Sequence, residues 1–138
     1  MNVSCKSRDG TVVQQSKTMQ ATTVELIPDA GTCIASRSVF TQNSPVRWMI
    51  REVEKFSDDN GWRIFALNDS DEYLQDPQNL IKVDFNKLCM IEPSLIGIWN
   101  FPVGSRLQIV DDELGKRIVD TPTGVEIAQD DLYTPPKS

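Results

Sequence analysis

Apolar residues come in short runs with a period near two, broken by turn formers, and this spacing predicts strands joined by short helices. Thr23–Ile27 is rich in β-branched residues and reads as a strand. Asp29-Ala30-Gly31 follows as a turn, and Thr32–Ser36 reads as a second strand. From Val46 to Val53, Val46, Trp48 and Ile50 alternate with Arg47, Met49 and Arg51. The turn Asp58-Asp59-Asn60-Gly61, whose glycine can take a positive φ, precedes a strand over Gly61–Leu67. There Trp62, Ile64 and Ala66 alternate with Arg63, Phe65 and Leu67. Both faces carry apolar residues, so this strand is expected at the centre of a sheet, with Trp48 and Trp62 buried.

The next stretch, Asp69–Gln75, reads as a short helix. Asp69 and Glu72 have the spacing of a capping box, and the carboxylates of its first turn favour a helix N-terminus. Pro77 ends it. Leu80–Phe85 returns as a strand, Asn86–Ile91 as a helical turn or two, and Pro93–Trp99 as a short helix weakened by Gly97. Arg106–Val110 is a further strand, and Arg117–Val119 closes a hairpin across the turn Asp111–Gly115. The fold class expected is α+β: a single domain with a mixed, largely antiparallel sheet and a few short helices. Residues 23–127 would form it. Residues 1–22, rich in Ser, Thr, Gln and Lys, read as a flexible segment in which Thr11–Val13 is able to add an edge strand. Residues 128–138, with two consecutive prolines, read as a loose tail.

Charge changes this picture from a generic domain to a binder. The 138 residues suit one core and carry a formal net charge of −6. The acidity is regional, because ten acids and four bases lie between residues 52 and 92. Six acids fall between Asp58 and Asp76, namely Asp58, Asp59, Asp69, Asp71, Glu72 and Asp76, and only Arg63 opposes them. Direct nucleic-acid binding wants a basic face, so it is not expected. A basic protein partner is, since complementary fields speed encounter and suppress wrong partners.

Candidate chemistry adds little. The chain has no histidine, which removes the commonest general base and metal ligand. Cys5, Cys33 and Cys89 lie far apart and read as reduced thiols, with Cys33 and Cys89 in apolar, core-like surroundings. The acids lack the alternating register of a Ca²⁺ loop, and carboxylate pairs are too common in an acidic chain to identify a glycosidase. No secretory signal and no membrane-length apolar run is visible, so the expected location is the cytoplasm. The reading is a non-enzyme with no cofactor, no metal and no membrane contact. Its candidate partner-binding residues are Asp58, Asp59, Asp69, Asp71, Glu72, Tyr73 and Asp76, with Trp99 as a second anchor.

One resemblance sharpens this reading. Cys33-Ile-Ala-Ser-Arg-Ser-Val39, Trp48-Met-Ile-Arg-Glu52, Asp59-Asn-Gly-Trp-Arg-Ile-Phe65 and Asp71-Glu-Tyr-Leu74 follow one another in order. Asp76-Pro-Gln-Asn79, Ile91-Glu-Pro93 and Pro102-Val-Gly-Ser105 continue the series. Together they resemble immunity family thirty-three of bacterial polymorphic toxin systems, over roughly residues 31–120. Asn60 stands where that family usually has Ser, and Ala66-Leu67-Asn68 where it usually has Gly before the acidic run. The resemblance implies a protein that binds and neutralises a cognate toxin. Many such toxins are nucleases delivered by type VI secretion, and a DNase effector's cytoplasmic immunity partner has similar features. The alternative is a small acidic regulatory or scaffold module with no toxin partner.

Overall fold

The computed structural model describes residues 25–136. The segment 1–22, with Cys5 and the edge strand expected at Thr11–Val13, lies outside the described residues. Within them, six strands form one sheet. They are β1 (Thr32–Ser36), β2 (Val46–Arg51), β3 (Asp59–Ala66), β4 (Leu80–Asp84), β5 (Arg106–Asp112) and β6 (Gly115–Asp120). Three short α-helices accompany them: α1 (Ser38–Thr41), α2 (Asp71–Gln75) and α3 (Phe85–Ile91). The sheet order is β4-β1-β3-β2-β5-β6, and every pair is antiparallel except β1 with β3. This is the mixed, mostly antiparallel α+β architecture expected.

The period-two pattern sorts the sheet into two unlike faces. Trp62, Ile64 and Ala66 of β3 belong to the core with Cys33 and Ala35 of β1, Met49 of β2, Leu107 and Ile109 of β5, and Ile118 of β6. Register agrees, since Met49 sits opposite both Ile64 and Leu107, and Ile109 opposite Ile118. Phe85, Leu88 and Cys89 of α3 complete the core with Leu95 and Ile98 of the 3₁₀ segment Pro93–Ile98. α3 starts after Asp84 because that carboxylate accepts from the Asn86 and Lys87 N–H groups.

The opposite face carries two cross-strand rows. Lys82, Ile34, Arg63, Ile50 and Arg106 follow one another across β4, β1, β3, β2 and β5. Beside them Phe65, Trp48 and Gln108 run across β3, β2 and β5. Phe65 and Trp48 are only half-buried. The burial expected for Trp62 is therefore correct, whereas Trp48 lies on the less covered side.

Other differences are local. In the described part of the strand expected at Thr23–Ile27, residues 25–27 are irregular. Their pairing comes from a side chain: Asn86 Oδ1 accepts from the Leu26 and Ile27 N–H groups (3.0 and 2.8 Å), and its Nδ2 donates to the Ile27 carbonyl (3.0 Å). The cap of α2 is Ser70 rather than Asp69, its hydroxyl accepting from the Tyr73 N–H at 3.0 Å. The short helix expected at Pro93–Trp99 is a 3₁₀ segment. Beyond β6 the chain turns back, and the Ile127 N–H donates to the Ile118 carbonyl at 2.8 Å. Where the sequence reads as a loose end, Leu132 and Tyr133 pack against the core, and the Tyr133 N–H donates to the Gly97 carbonyl at 2.7 Å.

Candidate partner-binding surfaces

The acids that cluster in sequence do not form one patch in space. β3 separates them, an eight-residue strand about 23 Å long by the usual rise per residue. Asp58 and Asp59 stand at its start, and Asp69, Asp71, Glu72, Tyr73 and Asp76 beyond its end.

Asp59 is turned inward. Its carboxylate takes a two-pronged contact from the Arg63 guanidinium, Nη1 to Oδ1 at 3.0 Å and Nη2 to Oδ2 at 2.8 Å. The Lys55 and Gly61 N–H groups donate to the same carboxylate at 2.7 and 2.8 Å. Arg63 is itself buried and reaches Glu52 Oε1 through Nε at 3.2 Å. The hydrogen bond from Arg63, helped by those two N–H groups, lowers the Asp59 pKa to about 2, and the same contact raises that of Arg63. Asp59 thus organises the turn and offers no outward charge.

Asp58 does face outward. It sits at φ +61°, and its carboxylate accepts from the Thr32 hydroxyl at 2.7 Å. Asp29, at φ +53°, lies across from it, and with Arg51, Asn60 and Trp99 they line a cleft of about 470 Å³. Trp99 is fixed there by its indole N–H, which donates to the Ala30 carbonyl at 2.9 Å, and by the Tyr133 ring 5.1 Å away. Arg51 braces the wall by donating to the Asn60, Trp99 and Phe101 carbonyls at 2.9, 3.2 and 2.5 Å. Burial lowers its pKa. Two of the sequence candidates, Asp58 and Trp99, are thereby brought to one concavity although 41 positions apart in the chain.

At the far end of β3 the acids divide by role. Asp69 accepts from the Ser38 hydroxyl at 2.6 Å and the Ala66 N–H at 2.8 Å, tying α1 to the end of β3. Asp76 caps the 3₁₀ turn Pro77–Asn79 through the Gln78 N–H at 3.0 Å. Tyr73 is half-buried, and its carbonyl accepts from the Asn79 side chain at 2.8 Å. Asp71 and Glu72 are exposed and make no ion pair among the described residues.

A second concavity escaped the sequence reading. On the sheet face away from α3, Trp48, Ile50, Phe65 and Leu74 surround a space of about 360 Å³ between Asp71 and Arg106. The alternation of Trp48 and Ile50 against Met49 was its only trace, because each face of β2 carries apolar residues. The β5–β6 turn is acidic too, with Asp111, Asp112 and Glu113 in succession. There Asp112 is held by Arg117 at 2.9 and 3.1 Å, which lowers its pKa.

Burial pushes the Cys33 thiol far up and the Cys89 thiol to about 12, so both are protonated and poorly nucleophilic near neutrality. Among the described residues no three Cys, Asp or Glu side chains gather as a metal site, and no helix is long and apolar enough to cross a membrane. The family model described as the immunity protein Imm33 domain matches residues 33–119, which spans the sheet to within one residue at each end. No curated protein and no solved structure matches the chain.

Proposed function

The chain belongs to the Imm33 immunity-protein family, and from that membership we propose that it binds and neutralises a cognate secreted bacterial toxin by direct contact. The observation that carries the reading is the extent of the match: it takes in all six described strands. The likeness is therefore of a whole fold rather than of one motif.

In this reading the partner is a nuclease delivered by type VI secretion, and the two meet in the cytoplasm. A nuclease grips phosphates with Lys, Arg or a metal, and an acidic protein competes for that basic site by occupying it. Neutralisation then needs no reaction, only a complex that dissociates slowly. Of the sequence candidates, Asp58, Asp71, Glu72 and Trp99 are free to meet a partner from outside. Asp59 and Asp69 fix the turns beside Asp58 and α2, while Asp76, itself exposed, caps the turn Pro77–Asn79.

Co-expression tests the reading directly. Cells carrying an inducible copy of the toxin encoded beside this chain should survive when the chain is co-expressed, and the two proteins should co-elute on gel filtration. Death of the cells together with separate elution would overturn it.

A further inference from the structure

We propose that the cognate toxin docks on the sheet face opposite α3, placing an apolar side chain between Trp48, Phe65 and Leu74 and a cationic one against Asp71. The inference rests on the immunity reading and names the surface that reading leaves open. That surface lies away from the Asp58–Trp99 cleft, and adds to the sequence candidate Asp71 the side chain of Trp48, which the sequence placed in the core.

Three observations carry it. The first is that, among the described residues, the two faces of the sheet are unequally covered. α3, the segment Pro93–Ile98 and the Leu132–Tyr133 turn all pack on the side of Trp62 and Met49. On the other side α2 borders the sheet through Leu74, leaving Trp48, Ile50 and Phe65 half-exposed around a recess of about 360 Å³. Aromatic side chains in such recesses are the usual anchors of protein interfaces.

The second is charge placement. One wall of the recess is acidic, with Asp69 and Asp71. α2 carries both acids of its first turn, Asp71 and Glu72, and has no base in its last turn. Asp69 is engaged by Ser38 and Ala66, so Asp71 is the outward charge at the rim. A cation there would meet a carboxylate that has no ion-pair partner among the described residues. On the other wall stands Arg106, exposed and also without an ion pair among them. The complementary surface is an apolar side chain flanked by a base on the α2 side and an acid or carbonyl on the β5 side.

The third is rigidity. Trp48 and Phe65 are paired on adjacent strands, and β2 and β3 lie inside the sheet with neighbours on both sides. The Arg47 guanidinium lies 5.2 Å from the Trp48 ring centre. A recess built on paired central strands reaches its partner already ordered, which lowers the entropic cost of binding.

The test uses the full chain and the toxin encoded beside it, with the toxin's active site disabled. A photo-crosslinker in place of Gln108, which is paired with Trp48, reports what lies on this face without removing an anchor. Crosslinks to the toxin support the proposal. Crosslinks only to a second copy, or only to residues 1–24 of the same chain, overturn it. Titration gives an independent measure. Trp48→Ala should weaken Kd roughly 30-fold or more, as interface anchors do, and Asp71→Lys should slow association roughly 10-fold at low salt. Asp71 makes no side-chain hydrogen bond or ion pair among the described residues and contributes only a first-turn charge to α2, so Asp71→Lys remains informative if Trp48→Ala is unstable. Unchanged affinity in Asp71→Lys together with loss in Asp58→Lys would overturn the proposal and move the interface to the Trp99 cleft. If the unmodified chain does not bind the toxin at all, the immunity reading itself fails, and this surface with it.

Discussion

Asp59 shows how a single carboxylate can be acidic in sequence and structural in space. Its lowered pKa, about 2, has Arg63 as its largest cause. A carboxyl held below its ordinary value of 3.8 stabilises the fold while ionised, so the contribution is complete above pH 4. It is lost as the pH falls through the folded value near 2. Acid titration of the native chain should therefore show a loss of stability between pH 4 and 2. In Asp59→Asn that part of the titration should flatten. At neutral pH, Asp59→Ala should cost about 3–5 kcal/mol, because it removes the two-pronged partner of the buried Arg63 and leaves only the single contact to the more exposed Glu52. Chemical denaturation measures both. Gly61, two residues on, allows a second expectation. It holds φ +88°, and a Cβ built there would lie 2.2 Å from the Glu52 carbonyl oxygen. Gly61→Ala should destabilise by more than about 2 kcal/mol, combining backbone strain with a clash that no side-chain rotation relieves. A denaturation midpoint equal to that of the native chain would contradict it.

At the scale of elements, β3 decides the architecture. It was readable from sequence because apolar residues occupy both of its faces, and the structure pairs it with β1 on one side and β2 on the other. Trp62 is fully buried, and its indole N–H donates to the Trp99 carbonyl at 3.1 Å. Trp62→Ala should cost about 3–5 kcal/mol in a urea titration, and Phe65→Ala less, since Phe65 faces the open side. α2 marks where sequence reasoning stops short. Asp69 and Glu72 fit a capping box by spacing, yet Ser70 caps the helix and Asp69 bonds to Ser38, 31 positions earlier in the chain. Such tertiary claims on a side chain leave no local signal. The same holds for Asn86, whose amide satisfies Leu26 and Ile27 from about 60 positions away. Strands, turns and the central position of β3 were legible because they follow from period and turn chemistry. Which acids face outward was not, because that depends on partners distant in the chain.

At the scale of the whole molecule, the six acids between Asp58 and Asp76 are divided between the two ends of β3. Neutralising Asp69, Asp71 and Glu72 together would mix a folding effect with a binding one. Asp69→Asn alone should lower stability, while Asp71→Asn with Glu72→Gln should lower the melting temperature only slightly, first-turn charges contributing about 0.3–1 kcal/mol each. The double variant should associate with the toxin more slowly at low salt and with a flatter salt dependence, since exposed charges steer encounter and are screened within about 10 Å at 0.1 M salt. Stopped-flow mixing at two ionic strengths separates the cases, and an unchanged rate for the double variant would show that the α2 acids do not face the partner. The one parallel pair, β1 beside β3, has a consequence in time. Hairpins β2–β3 and β5–β6 close over short loops, whereas β1 can dock beside β3 only after residues 37–58 have been made and folded back. β4 must then add outside β1. On a ribosome the sheet therefore grows from its middle outward and finishes at β4 and β6. Under the proposed neutralising function, only chains that have completed that sequence would protect a cell already exposed to toxin, so the reserve of finished protein, more than the rate of new synthesis, would set how quickly it responds.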